Sequence, residues 1–304
     1  MSLKVLVTGA GGFIGSRLVP FLRSRGHAVT AGEFDLLDFA ATGAVLAGES
    51  PEAPKSWDAV IHLAAISHVP TCEKDPALAF KTNLAGTAQL VEGMRRHCPS
   101  ARLIFSSTAQ VYAAPSREEA GGAIIMDEQR RIAPQNLYAR TKWEAELLIA
   151  DAAARGELSA TVLRLFNHSH KSQSPDFFLP HLYQALLAQP ATVPVGNLEL
   201  SRDIGSIQDL LEAFGALLGR TDFAGLPRHE LFNICSGQAK RLSTLAQGLA
   251  QRLGSQAQFV VDPSRLRAGE AEVLRGSHER LTQATGWRPR CLTEGELLDC
   301  FLAE

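Results

Sequence analysis

A short apolar run that ends in a glycine turn and feeds a helix constrains this chain more than any other feature. Residues 3–9, LKVLVTG, are apolar almost throughout, as expected of a strand buried on both faces. In TGAGGFIG (8–15), glycines stand at 9, 12 and 15, and FIGSRLVPFLRSRG (13–26) continues with helical spacing and stops at Gly26. The first glycine of such a unit allows a tight turn, the second lets the backbone approach a pyrophosphate, and the third lets the helix lie close to the strand. The free N–H groups and dipole at the helix start favour the phosphates. The unit therefore predicts dinucleotide binding, with Gly9, Gly12, Phe13, Ile14 and Gly15 against the cofactor.

The pattern repeats. Strands are predicted at 28–34, 57–65, 101–108 and 159–167, and amphipathic helices at 75–97 and 136–156. Alternation of this kind predicts an α/β, Rossmann-type doubly wound parallel sheet. Beyond a polar break at 171–176 the elements shorten, so the domains are expected to be a dinucleotide-binding domain over 1–167 and a smaller α/β substrate-binding region over 168–304, packed over the carboxyl edge of the sheet, with the chain free to cross between them. The net charge of −2 gives no electrostatic case for nucleic acid or an anionic membrane, and no apolar run is long enough to span a bilayer. Five scattered cysteines without a C-x-x-C argue against a disulfide framework or zinc site and suit a reducing cytoplasm. HSH (168–170) is the one dense histidine group, with no third ligand evident nearby, so no metal is expected.

Glu33 lies 18 residues after Gly15. An acidic residue at the end of the second strand accepts from a ribose 2′-hydroxyl and repels a 2′-phosphate. The expected cofactor is thus NAD or NADP, with NAD slightly favoured. Asp35 and Leu36 are expected beside the adenine pocket, and Leu63, Ala64 and Ala65 at the end of the third strand, where small residues admit the cofactor. Thr108 closes the fourth strand, and Tyr138 and Lys142 begin the following helix. A hydroxyl, a tyrosine and a lysine in this order can run reversible hydride chemistry at a carbonyl: an adjacent ammonium and an oxidised nicotinamide favour the phenolate, so Tyr138 acts as acid or base while Thr108 orients the same oxygen. Lys142 is also expected to hold the nicotinamide ribose.

TGxxGFIG (8–15), HLAA (62–65), NLAGT (83–87), SSTAQVY (106–112), the Tyr138/Lys142 pair and LRLFN (163–167) together resemble the extended short-chain dehydrogenase/reductase family of nucleotide-sugar epimerases, dehydratases and reductases. The resemblance spans essentially the whole chain. It implies Asn83 and Leu165 as further cofactor-side residues. FNHSHKSQSPDF (166–177), VGNLELSRD (195–203), FNICSG (232–237), VDPSRLRAGE (261–270) and RGSHERLTQATGWRP (275–289) look like the family's reductases of GDP-4-dehydro-6-deoxy-D-mannose. That likeness implies Asn167, Arg202 and Arg267 at the diphosphate and Ser67, Thr108 and His168 toward the sugar; arginine's fork suits phosphate oxygens. The chain departs from the family at His170–Lys171, where Gly-Pro is usual, at Ala113 for glycine, Leu137 for proline and Thr141 for serine.

The function expected is reduction of a GDP-4-keto-6-deoxyhexose by NAD(P)H. The alternatives are a UDP- or dTDP-hexose 4-epimerase with tightly held NAD, and a non-catalytic dinucleotide-binding protein. A homodimer through the helices at 75–97 and 136–156 is also expected, as is usual in this family.

Overall fold

The computed structural model describes residues 2–32, 34–49, 54–114, 123–220, 223, 225–266 and 271–303. The chain divides into two compact units, Met1–Ala113 with Arg131–Leu165 and Phe214–Phe232, and Ala114–Arg130 with Phe166–Ala213 and Asn233–Glu304.

The first unit is built on a six-stranded sheet of β1 (Lys4–Thr8), β2 (Ala28–Gly32), β3 (Ala59–His62), β4 (Arg102–Thr108), β6 (Ser159–Leu165) and β10 (His229–Ile234), ordered β10-β6-β4-β3-β1-β2. The pairs among β1, β2, β3, β4 and β6 are parallel. Every residue of β3 and β4 is buried, which is why these strands run apolar instead of alternating. Chain order reverses at β1: β2 lies on one side of it and β3 on the other. Ligands of open α/β sheets bind outside the carboxyl ends of strands at this kind of switch point, and the glycine turn begins there.

Helices α1 (Gly15–Ser24), α2 (Phe39–Leu46), α3 (Val69–Lys74), α4 (Pro76–Phe80), α5 (Gly86–His97) and α6 (Leu137–Ala154) complete this unit. The periodicity over 75–97 predicts one helix, and the helical backbone runs without interruption from α4 through a wider π-type turn at Lys81–Ala85 into α5. Such a turn inserts one residue into the ladder without disturbing the apolar spacing on either side, so the sequence pattern does not reveal it. Asp75 caps α4, its carboxylate accepting from Leu78 N at 3.0 Å, and Asn136 caps α6, accepting from Ala139 N at 2.9 Å. Leu6, Val60, Leu90, Leu103, Phe105, Ile149 and Val162 form much of the core.

The second unit holds β5 (Ala123–Met126), β7 (Asn167–Ser169), β8 (Thr192–Val195), β9 (Ser201–Ser206), β11 (Ala239–Arg241), β12 (Gln258–Val261) and β13 (Val273–Gly276), with α7 (Phe178–Leu187), α9 (Leu242–Arg252), α10 (Glu279–Thr285) and α11 (Glu294–Leu302); α8 (Ile207–Leu218) begins in it. β11-β9-β13-β5 form one sheet, β7 pairs with β9, and β12 pairs with β8. Its core gathers Leu182, Ile204, Leu245, Leu249, Leu297 and Phe301. No helix among the described residues is long and apolar enough to cross a membrane.

A buried ion cluster anchors the β10 edge of the six-stranded sheet. Arg102, only 1% exposed, donates from Nη2 to Glu230 at 2.6 Å and from Nε to Thr161 Oγ1 at 2.7 Å. Arg220 reaches the same carboxylate oxygen at 2.8 Å. Burial lowers the Arg102 pKa and the Glu230 charge opposes that shift. Removing one member of a buried pair strands the remaining charge, at about 3–5 kcal/mol. Glu230→Ala is accordingly expected to lower unfolding free energy by that amount in urea titration, while the Arg102→Met/Glu230→Leu double variant should lose much less.

Candidate active site

The glycine turn is shaped by backbone contacts. Gly9 has φ +70°, and a Cβ there would stand 2.6 Å from Ala64 N. A Cβ on Gly15 would meet Gly9 O at 2.3 Å. Both positions exclude a side chain because main chain, which cannot swing aside, occupies the space. Gly12 is different: its Cβ would meet Gly9 O at 3.3 Å, and the residue is exposed. The small residue there leaves room above the turn. No side chain caps α1; Ser16 N and Arg17 N donate to Gly12 O and Ile14 O at 2.9 and 3.1 Å, and the helix start turns its positive dipole end toward an anion. Ile14 is the residue before the helix, and Phe13 is partly covered by Arg17, whose guanidinium carbon lies 5.1 Å from the ring centre. A cradle that a Cβ would fill, beside an uncapped helix start, suits a dinucleotide pyrophosphate.

Behind this turn lies a buried polar chain that the sequence reading missed. His62 is fully buried at the end of β3; its Nδ1 is 2.7 Å from Thr8 Oγ1 and its Nε2 is 2.9 Å from Thr87 Oγ1. Thr87 donates to Asn83 O at 2.6 Å, so its oxygen must accept from His62 Nε2–H. Thr8 then donates to Nδ1, which makes His62 a neutral Nε2–H tautomer. Asn83 fixes the loop after β3 in both directions, accepting from Ile66 N at 2.8 Å and donating to Ile66 O at 3.0 Å. It also donates to Thr141 Oγ1 at 3.0 Å, and Thr141 donates to Tyr138 O at 2.8 Å. One continuous path thus runs from the residue before Gly9 to the main chain of Tyr138. Burial, with the nearby Lys142 charge, pushes the His62 imidazole down to about 3. The signal available in the sequence was the histidine of HLAA inside an apolar strand, with threonines at 8 and 87.

Thr108 lies beside Tyr138, and Lys142 stands one turn beyond Tyr138 on α6. Thr108 ends β4 in register with Leu165 at the end of β6. Tyr138 is 8% exposed and packs against Cys72 and Ala79. Its phenol takes a hydrogen bond from the Thr108 side chain. The expected low phenol pKa is not what the protein alone provides. Burial pushes Tyr138 up to about 12, the Thr108 contact opposing. Lys142 stands with Nζ 4.5 Å from the centre of the Phe105 ring, and burial pushes it down to about 7, with Glu146 opposing. Desolvation disfavours both charged forms, so the pair is held as phenol and a partly neutral amine. Glu146 lies one turn beyond Lys142 and is held by Ser107 Oγ and by Arg164, Nη2 to Oε2 at 2.7 Å.

Leu63, Ala64 and Ala65 follow β3 and are half-buried, and Ser67 just beyond is exposed. Ala64 N reaches Thr8 Oγ1 at 3.4 Å. Leu36 is buried in the core and Asp35 is exposed, its carboxylate closing a local turn onto Leu37 N at 2.9 Å. Glu33 and Arg267 lie outside the described residues. In the second unit, Asn167 is exposed on β7, while His168 is buried, with Nδ1 2.8 Å from Phe166 O. Arg202 donates through Nη1 to Ser201 O and Ala271 O at 2.9 and 2.8 Å.

The departures from the family pattern have structural uses. Leu137, unlike proline, has an N–H, which donates to Glu73 Oε1 at 2.9 Å. Thr141 is the link between Asn83 and Tyr138. His170 Nδ1 is 2.7 Å from Ser172 Oγ, and Lys171 Nζ donates to Leu302 O at 2.9 Å. Side chains here tie down a segment that Gly-Pro would shape through backbone geometry.

Fold, glycine cradle and hydroxyl pair suit a dinucleotide-dependent enzyme that moves a proton and a hydride at a carbonyl. The NAD dependent epimerase/dehydratase family model matches residues 5–235, and the chain belongs to that family. It is 31% identical to the GDP-6-deoxy-D-mannose reductase of Pseudomonas aeruginosa, over 95% of this chain and 93% of the relative. It is 26% identical to a UDP-glucose 4-epimerase of Corynebacterium glutamicum, over 94% of this chain and 91% of the relative. The structure of RMD from Pseudomonas aeruginosa complexed with NADPH superposes with a TM-score of 0.84 at 28% identity, covering 99% of this chain and 98% of that one. The protein is therefore an NAD(P)-dependent nucleotide-sugar oxidoreductase.

Two outcomes are expected from the turn and the polar chain. Gly15→Ala should lower the melting temperature by at least ~5 °C, whereas Gly12→Ala should melt near wild type yet bind dinucleotide at least ~10-fold more weakly, because its Cβ enters the space a pyrophosphate uses. Differential scanning and fluorescence titration separate the two. His62 is depressed in the folded state, so the unfolded chain binds its proton first and stability is lost as pH falls from the ordinary value of 6.5 toward about 3. In His62→Gln that contribution, up to ~1.4 kcal/mol per pH unit, should be missing from the pH dependence of urea unfolding.

Proposed function

We propose that the protein reduces the C4 carbonyl of a GDP-4-keto-6-deoxyhexose, converting GDP-4-dehydro-6-deoxy-D-mannose to GDP-D-rhamnose. The observation that carries this reading is the buried Tyr138 phenol beside the Thr108 hydroxyl at the carboxyl end of β4. Reduction needs a proton donor at the carbonyl oxygen, and a phenol raised to about 12 stays loaded at neutral pH. The choice of sugar is supported by the identity to the Pseudomonas aeruginosa reductase across nearly the whole chain.

When bound, the nicotinamide supplies the hydride. Gly9, Gly12, Phe13, Ile14 and Gly15 hold the pyrophosphate, Leu63, Ala64, Ala65, Asn83 and Leu165 flank the cofactor, and Lys142 holds its ribose. Tyr138 gives its phenolic proton to the C4 oxygen as charge develops there. Thr108 donates a second hydrogen bond to the same oxygen and so fixes which face of the carbonyl is presented. Asn167, Arg202 and Arg267 take the diphosphate, with Ser67 and His168 toward the hexose. Glu33 favours NADH over NADPH by repelling a 2′-phosphate.

The second reading, 4-epimerisation of a UDP-hexose, is favoured by the identity to UDP-glucose 4-epimerases. Incubation with GDP-4-dehydro-6-deoxy-D-mannose and either NADH or NADPH is expected to consume reduced cofactor, and Tyr138→Phe to lower kcat at least ~100-fold. Lack of consumption with both cofactors overturns the reduction. Purified protein that carries NAD and interconverts UDP-glucose and UDP-galactose without added cofactor supports the epimerase.

A further inference from the structure

Cys291 and Cys300 lie in the second unit, nine residues apart in sequence, and their Sγ atoms are 2.6 Å apart. The scattered spacing of the cysteines had concealed this pairing. Cys291 is 3% exposed and Cys300 is partly exposed. The main chain on the Cys291 side is held firmly: Arg290 N and Cys291 N donate to the two oxygens of Asp209 at 2.9 and 3.1 Å. α11 starts directly afterwards with a capping box between Thr293 and Glu296, and Cys300 sits in its last turn. A disulfide requires ~2.05 Å between sulfurs, so the two groups are positioned to bond with little main-chain movement.

The same two residues adjoin the segment after β7. Cys291 exchanges a hydrogen bond with Ser206, and Ser206 is paired in register with Ser169 of β7. At the other end, the carbonyls of the last turn of α11 hold Lys171: Phe301 O accepts from Lys171 N at 3.2 Å and Leu302 O from Lys171 Nζ at 2.9 Å. A covalent link between Cys291 and Cys300 would therefore fix the helix end on which residues 167–171 rest.

We propose that Cys291 and Cys300 are an oxidisable dithiol, which a peroxide or a small-molecule disulfide converts to an intramolecular disulfide that stiffens the 167–171 segment. With hydrogen peroxide, the more exposed Cys300 gives up its proton, its thiolate attacks the O–O bond and becomes a sulfenic acid, and the departing hydroxide takes up that proton as water. The Cys291 sulfur then displaces a second water as the S–S bond forms. Two thiols lose two electrons and two protons, and the peroxide is reduced to two waters. Burial pushes the Cys291 thiol up to about 12, so Cys300 is the end that meets the oxidant. An effect on substrate binding rests on reading Asn167 and His168 as substrate contacts; the covalent step does not.

The full-length protein, first reduced with dithiothreitol and freed of it, is exposed to hydrogen peroxide or to oxidised glutathione. Intact mass is expected to fall by ~2 Da, and non-reducing peptide mapping to join Cys291 to Cys300. Amide exchange over 167–171 should slow and the melting temperature rise, both reversed by dithiothreitol. Cys300→Ser and Cys291→Ala should each lack the mass change and the rise in melting temperature. An unchanged mass in the wild type, or a bond from either residue to another cysteine, overturns the proposal. None of these readouts uses turnover, so the dithiol stands or falls independently of the sugar assignment.

Discussion

A neutral histidine with both ring nitrogens satisfied inside the sheet is the constraint on which the first unit depends. His62 is fully buried, so it cannot carry a proton in excess, and each ring nitrogen needs a fixed counterpart. Thr8 and Thr87 provide them, and each threonine is in turn committed elsewhere. Leaving one such group unsatisfied costs roughly 1–3 kcal/mol, comparable to the worth of a whole buried aliphatic side chain. The chain of hydrogen bonds therefore competes on equal terms with hydrophobic packing. It ties the start of the glycine turn to the π-type turn through Asn83 and, through Thr141, to the main chain that presents Tyr138.

The same burial sets the acid–base character of the site. It raises Tyr138 and lowers Lys142, two opposite pKa shifts with one cause, the cost of charge away from water. The expectation of a phenolate rests on an adjacent ammonium together with an oxidised nicotinamide; the protein's own contribution is burial, which raises the phenol. In the protein, Lys142 Nζ lies over the Phe105 ring and desolvation is the largest influence on the phenol.

The departures from the family pattern share a logic. Where proline or Gly-Pro would restrict the backbone directly, this chain uses hydrogen bonds: Leu137 N to Glu73, His170 to Ser172, Lys171 to the end of α11. Backbone restriction is built into a residue, whereas these contacts depend on neighbours that tertiary packing brings near. The second-unit segment is for that reason coupled to α11 and to the Cys291–Cys300 pair.

The parallel sheet, the glycine cradle and the Thr108/Tyr138/Lys142 set were legible in the sequence because each rests on local information: buried-strand composition, glycine spacing and the i, i+4 geometry of a helix. The π-type turn was not legible, since an added residue leaves the apolar pattern on either side intact. Nor was the pairing of the short strand β10 with β6, which lies far back in the chain. His62–Thr8 spans 54 residues, Asn83–Thr141 spans 58 and Arg102–Glu230 spans 128. By itself the sequence determined which residues could bend, bury or react. Which polar groups meet, and therefore which proton each holds, was decided only by the tertiary structure, because desolvation and hydrogen bonding depend on neighbours that are distant along the chain.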